Sequence, residues 1–244
     1  MSSTHIVKRY DDELRELENA IAKMGGLAES QLAAAIEAVT RRDSGLAAQV
    51  IEGDAKVDLL EQQVDAQVMR LFALRQPMAS DLRHILSARR VASELERIAD
   101  YAANVAKRAL VLNQVPAVRP AFAIPRMGQL VQAMIKGALD AYVAHDADKA
   151  VVVWQSDEQV DELHNSLFRE LLTYMMEDPR SITTCAHLLF MAKNIERMGD
   201  HTTNIAEMIY FSERGEQLKR ARPKGDNTPF AVVTRHGGPG KPTP

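Results

Sequence analysis

Apolar residues recur three and four positions apart along most of the chain, and the breaks in that rhythm divide it into six helices. The pattern predicts a first helix from about Lys8 to Arg42, with Gly25 and Gly26 as a weak point near its middle. Asp43-Ser44-Gly45 turns the chain. A second helix, from about Leu46 to Leu74, carries Val50, Val57, Leu60, Val64, Val68 and Leu71 toward a core. After a turn at residues 75–79, a third starts at Ser80, read as an N-cap with Asp81 in the first turn, and runs to about Leu112. Its stripe is Leu82, Ile85, Leu86, Ala92, Leu95, Ile98, Ala102, Val105 and Ala109, a coiled-coil-like seam. Before residue 220, proline stands only at Pro77, Pro116, Pro120, Pro125 and Pro179. Proline is poorly tolerated inside helices, so these positions mark connections.

After a linker at 114–124 the pattern restarts. Met24-Gly25, Leu27, Leu32, Ile36 and Asp43 match Met127-Gly128, Leu130, Ile135, Leu139 and Asp146 at a constant offset of 103 residues, as do Asp54, Val57 and Asp58 with Asp157, Val160 and Asp161. Further on, Glu96, Arg97, Asp100 and Asn104 match Glu196, Arg197, Asp200 and Asn204 at an offset of 100, so three residues are missing around the second helical connection. The expected helices of the second unit run from about Pro125 to Ala144, Ala147 to Met176 and Ser181 to Phe211. Such a repeat predicts an all-α fold of two tandem three-helix bundles, residues 1–113 and 125–213. A charged, then Pro- and Gly-rich tail, 214–244, is expected to be disordered from about residue 222.

Composition narrows the class. A hydrophobic content of 46% over 244 residues supports a sizeable core. Net charge is −3, which predicts neither nucleic-acid binding nor attachment to anionic membranes. The lone Cys185 excludes an internal disulfide framework, agrees with a reducing compartment, and sits on an apolar seam as a buried, inert thiol. No apolar run approaches the roughly 20 residues of a membrane span, and the expectation is a cytoplasmic protein.

Within each motif copy a glutamate and an aspartate stand four positions apart and so share one helix face. With the seam of the sixth helix at Ile195, Met198, Thr202, Ile205 and Ile209, the residues Glu196, Asp200, Asn204 and Glu207 are expected on an adjoining, more exposed face, as are Glu96, Asp100 and Asn104. Carboxylates and amide oxygens suit hard cations such as Mg²⁺ or Mn²⁺, and iron or zinc if further ligands join. The competing account pairs Arg97 and Arg197 with Asp100 and Asp200 in a solvated stripe. On chemistry alone, that account is the better supported.

The paired Glu-Arg-(Ile/Met)-(Ala/Gly)-Asp-x-x-x-Asn segments at 96–104 and 196–204 resemble the PhoU family, regulators accessory to the bacterial phosphate-specific transport system. Pro77 to Arg83 and Asp54-x-x-Val57-Asp58 are similar to that family too, over about residues 10–212. The resemblance implies metal at Glu96 with Asp100 and at Glu196 with Asp200. It also implies negative regulation of phosphate-starvation signalling, through contacts with the transporter's ATPase subunit and its sensor histidine kinase. It tips the motif toward a metal or partner site. The second unit departs by offering Ser181-Ile-Thr183 where the first has Asp81-Leu-Arg83.

An alternative is a metal-dependent bundle enzyme of the di-metal carboxylate type. Those bundles place a histidine three residues after a glutamate, where this chain has Ala99 and Gly199. A purely structural or membrane scaffold is a third reading, unsupported by any basic or wide apolar face. Arg83, Arg89 and Arg90 form a candidate partner-binding face, and a homodimer is expected of long amphipathic helices. His201, whose counterpart is Tyr101, is read as solvated or helix-packing, and His84, His164 and His187 as structural or exposed.

Overall fold

A computed structural model describes residues 2–218, so the tail reading lies outside the described residues. The helices are α1 (Ser2–Arg41), α2 (Ser44–Gly53), α3 (Ala55–Arg75), α4 (Ala79–Leu112), α5 (Ala123–Val143), α6 (Ala147–Gln155), α7 (Asp157–Glu177) and α8 (Ile182–Arg214). Two single-turn 3-10 segments, Arg119–Phe122 and Pro179–Ser181, lead into α5 and α8.

The second helix of each unit, expected to be continuous, is broken within one residue of the equivalent place, at Asp54 and Ser156. At each break the chain tightens into an i to i+3 bond, Val57 N–H to Asp54 O at 2.9 Å and Gln159 N–H to Ser156 O at 3.3 Å. Each pair of segments, α2 with α3 and α6 with α7, packs on its unit's long helices. Equivalent caps start them: Asp43 accepts from Leu46 N–H, and Asp146 from Asp148 and Lys149 N–H.

Helices α4 and α8 form the centre. Heptad positions Ile85, Ala88, Ala92, Leu95, Ala99, Ala102, Ala106 and Ala109 are buried, and so are Cys185, Leu188, Ala192, Ile195, Gly199, Thr202, Ala206 and Ile209 on α8. Many are small, which lets the two backbones approach closely. The pair runs antiparallel: Arg83 reaches Ser212 O, Glu94 reaches His201, and Tyr101 reaches Arg197. Tyr101 and His201, equivalent in the repeat, stack with ring centroids 5.4 Å apart, so a pseudo-twofold axis passes near them. The apolar core is continuous through both units.

The same axis relates α1 to α5. A Cβ on Gly25 would fall inside the isobutyl group of Leu139, and a Cβ on Gly128 would lie 2.5 Å from Ile36 Cγ1. Those contacts are reciprocal under the repeat. Gly25 is therefore a site of close helix approach in an unbroken α1, and the expected weak point does not occur.

Two other expectations change. Ser80 is not a cap: α4 begins at Ala79, with extended Met78 before it, while Asp81 stands in the first turn as expected and accepts from the Tyr10 hydroxyl at 3.1 Å. Leu82 and Leu86 are exposed, because the helix turns Ile85 and Ala88 inward at that end. The three-residue shortfall is taken near the start of α8, which reaches its motif one turn sooner than α4 does.

Candidate functional site

In the first unit, the α2–α3 break lays Asp54, and α3 lays Asp58 and Glu61, beside Glu96 and Asp100 of α4. Burial, followed by the nearby charges of Asp100 and Glu61, pushes the Glu96 carboxyl up to about 7. Asp54 is raised as well, first by burial and then by Asp100 and Asp58, and its Oδ1 is buried with no hydrogen-bond partner among the described residues. Arg97 is a weak counter-ion: exposed, it stands 3.7 Å from Glu96 and 3.8 Å from Asp100. The arginine pairing expected of a solvated stripe is thus present but loose.

The second unit closes over its copy. Glu196 is 4% exposed, with Asp157, Asp161 and His164 also buried, which corrects the expectation of a more exposed face at Glu196, whereas Asp200, Asn204 and Glu207 are half-buried. Helix α8 packs against α5, α6 and α7 as well as α4, as α4 does against α1, α2, α3 and α8, so in each unit more than a heptad seam is enclosed. Asp157 Oδ1 lies 3.3 Å from where a Gly199 Cβ would stand, between Glu196 and Asp200 on the helix. Lys193 Nζ donates to Glu196 Oε1 at 2.8 Å; its counterpart in the first unit is Ser93, which offers no such cation. Asp157 and Asp161 stand out in the sequence only as repeat markers, and Asp54 and Asp58 as repeat markers and part of the family resemblance; none of the four is read there as a site residue. Their signal was the recurring Asp-x-x-Val-Asp segment, with His164 taking the place of Glu61.

Several other candidates have internal roles. Glu207 accepts from Trp154 Nε1–H at 3.0 Å, Asn104 from Lys107 Nζ at 3.4 Å, and Asn204 donates to Glu94 at 3.0 Å. His201 joins the same Glu94 at 2.6 Å. Arg83 donates to Ser212 O, Arg89 pairs with Asp65 at 3.1 Å, and Arg90 lies 3.8 Å from Met208 Sδ. Cys185 is buried, and its thiol is raised by that burial. Among the described residues, the trio whose ligand atoms all lie within 4.8 Å is His84, His145 and Glu213, none of them in the motif.

The Glu96 environment makes a prediction for metal-free protein. A raised carboxyl contributes stability that is complete below its unfolded value of 4.5 and is lost as pH rises through about 7. Urea unfolding in chelator should show Glu96→Gln to be more stable than the wild type at pH 8, by about 1 kcal/mol after solvent screening. The difference should vanish near pH 4. Equal stability at pH 8 would mean that the carboxylate is not strained.

The fold and site define a duplicated all-helical protein with an acidic face on each unit and no helix, among the described residues, long and apolar enough to cross a membrane. The chain belongs to the PhoU family, whose PhoU domain matches residues 21–109 and 124–209. The phosphate-specific transport system accessory protein PhoU homolog of Caulobacter vibrioides is 52% identical over 223 residues, 91% of this chain and 97% of that protein. The crystal structure of PhoU from Pseudomonas aeruginosa is 41% identical, with a TM-score of 0.83, covering 85% of this chain and all of that one. The phosphate transport system regulatory protein PhoU from Streptococcus pneumoniae, at 31% identity, gives a TM-score of 0.80 over 86% of this chain and 100% of that chain.

Proposed function

We propose that this protein is a non-enzymatic accessory regulator of phosphate transport. It acts as a negative regulator that links the phosphate transporter's ATPase subunit to a phosphate-sensing histidine kinase. Relatives named as accessory or regulatory proteins of phosphate transport, matched over most of the chain, support this reading. Capture of both partners by tagged full-length chain, with constitutive phosphate-starvation gene expression on deletion, is the expected outcome. Capture of neither, with unchanged expression, would sink it.

The acidic faces would bind divalent cations, and the observation that carries this is the crowding of Asp54, Asp58, Glu61, Glu96 and Asp100 with so little cationic compensation. An all-oxygen donor set fits a hard ion such as Mg²⁺ or Mn²⁺. Glu96 and Asp100 would hold it in the first unit. In the second, Glu196 and Asp200 are the corresponding ligands, and Lys193 must swing away from Glu196 for a cation to replace it. Such an ion would supply positive charge that stiffens the face and can meet an anionic partner group. Manganese content measured by elemental analysis should fall in an E96A/D100A/E196A/D200A variant. Equal content would return the motif to a solvated stripe.

A further inference from the structure

The geometry points to a second kind of metal site, for a zinc-class divalent cation, built by His84, His145 and Glu213 where the two units meet. His84 lies near the start of α4, His145 in the turn after α5, and Glu213 in the last turn of α8. One carboxylate oxygen, Glu213 Oε1, stands 3.3 Å from His84 Nε2 and 3.0 Å from His145 Nδ1. Tetrahedral bonds of 2.0–2.1 Å to nitrogen and oxygen set ligand atoms about 3.3 Å apart. Both distances are close to that edge, so little movement would admit the ion.

Across the ring, His145 Nε2 is 3.4 Å from Glu18 Oε1 of α1. A carboxylate on the outer nitrogen of a ligating imidazole fixes its tautomer and orientation, and Glu18 is placed to do this. The groups border a cleft of about 30 Å³ that also meets Tyr142, Ser87 and Ser212. Two imidazoles and one carboxylate favour a borderline ion such as Zn²⁺ over the hard ions suited to the acidic faces.

The internal repeat supplies an independent comparison. Under it, Glu18, His84, His145 and Glu213 correspond to Ala121, Thr184, Arg42 and Asn113, and those four residues line a cleft at the opposite end of the molecule. His145 and Arg42 even share a left-handed backbone, φ 52° and 55°. At the Arg42 end, the guanidinium closes the structure by donating to Leu112 O and Asn113 O, both at 2.9 Å. At the His145 end, the same scaffold position holds a set of metal ligands. An ion there would tie α4 and the end of α8 to the α5–α6 turn, and so clamp one unit to the other.

Chelator-stripped full-length protein titrated with Zn²⁺ should bind one equivalent, and X-ray absorption of that zinc should show two imidazoles in its shell. His84→Ala, His145→Ala and Glu213→Gln should each weaken zinc binding at least about tenfold, with Glu18→Gln weakening it less. Each should keep its wild-type circular dichroism and its manganese content. A zinc shell without imidazole overturns the site whatever the variants do. Unchanged zinc affinity in folded His145→Ala does the same.

Discussion

Trp154→Ala is expected to be the most damaging single substitution outside the central seam, at about 3–5 kcal/mol. For a chain of this size that is a melting shift of about 10 °C. Trp154 is 3% exposed, and its Nε1–H is held by Glu207 at 3.0 Å. It is the bulk with which α6 covers α8, and its removal opens a cavity that short, stiff α6 cannot collapse to fill. Trp154→Phe separates packing from the hydrogen bond: it keeps a ring and should lose only about 1 kcal/mol, since partly exposed Glu207 can turn to water. Thermal unfolding followed by far-ultraviolet circular dichroism checks both. A Trp154→Ala protein melting with the wild type would show that α6 is not integral to the core.

The second large effect belongs to the α1–α5 contact. Gly25→Val and Gly128→Val should each cost about 1–3 kcal/mol by overpacking, because Leu139 and Ile36 already occupy the space where the new side chains must go. The two sites are about 16 Å apart along α5, so the double variant should lose close to the sum. Leu139→Ala should rescue Gly25→Val in part, and should not rescue Gly128→Val. Chemical denaturation of these variants, with Leu139→Ala alone and the wild type, forms the test. If Leu139→Ala adds its own cost to Gly25→Val without rescue, the two residues do not share the space described.

That contact shows why part of the fold was hidden in the sequence. Glycine inside a helical pattern reads as weakness because its local conformational cost is visible, whereas the partner that demands it lies over a hundred residues away. The breaks at Asp54 and Ser156 were equally hard to see: the apolar rhythm continues through both, and each shows only as a local tightening of the hydrogen-bond ladder. The six-helix repeat, by contrast, was plain from Met24-Gly25 and Met127-Gly128 onward, since duplication preserves spacing.

The acidic motif divides in the same way. Glu96 with Asp100, and Glu196 with Asp200, could be placed on one helix face each from their spacing, and α4 and α8 carry them so. Their surroundings could not. Lys193 against Glu196, and the closing of the second unit over Asp157, Asp161 and His164, depend on how helices cross.

By itself, then, the sequence determined six helical spans (though not the breaks in two of them), their duplication and the two carboxylate pairs, because these are written in short-range spacing or its repetition. The tertiary structure decided which polar groups meet. His84, His145 and Glu213 are scattered between the start of α4 and the end of α8, and each looks ordinary alone. Antiparallel packing about a pseudo-twofold axis brings them to one place, and only three-dimensional convergence turns scattered side chains into a ligand set.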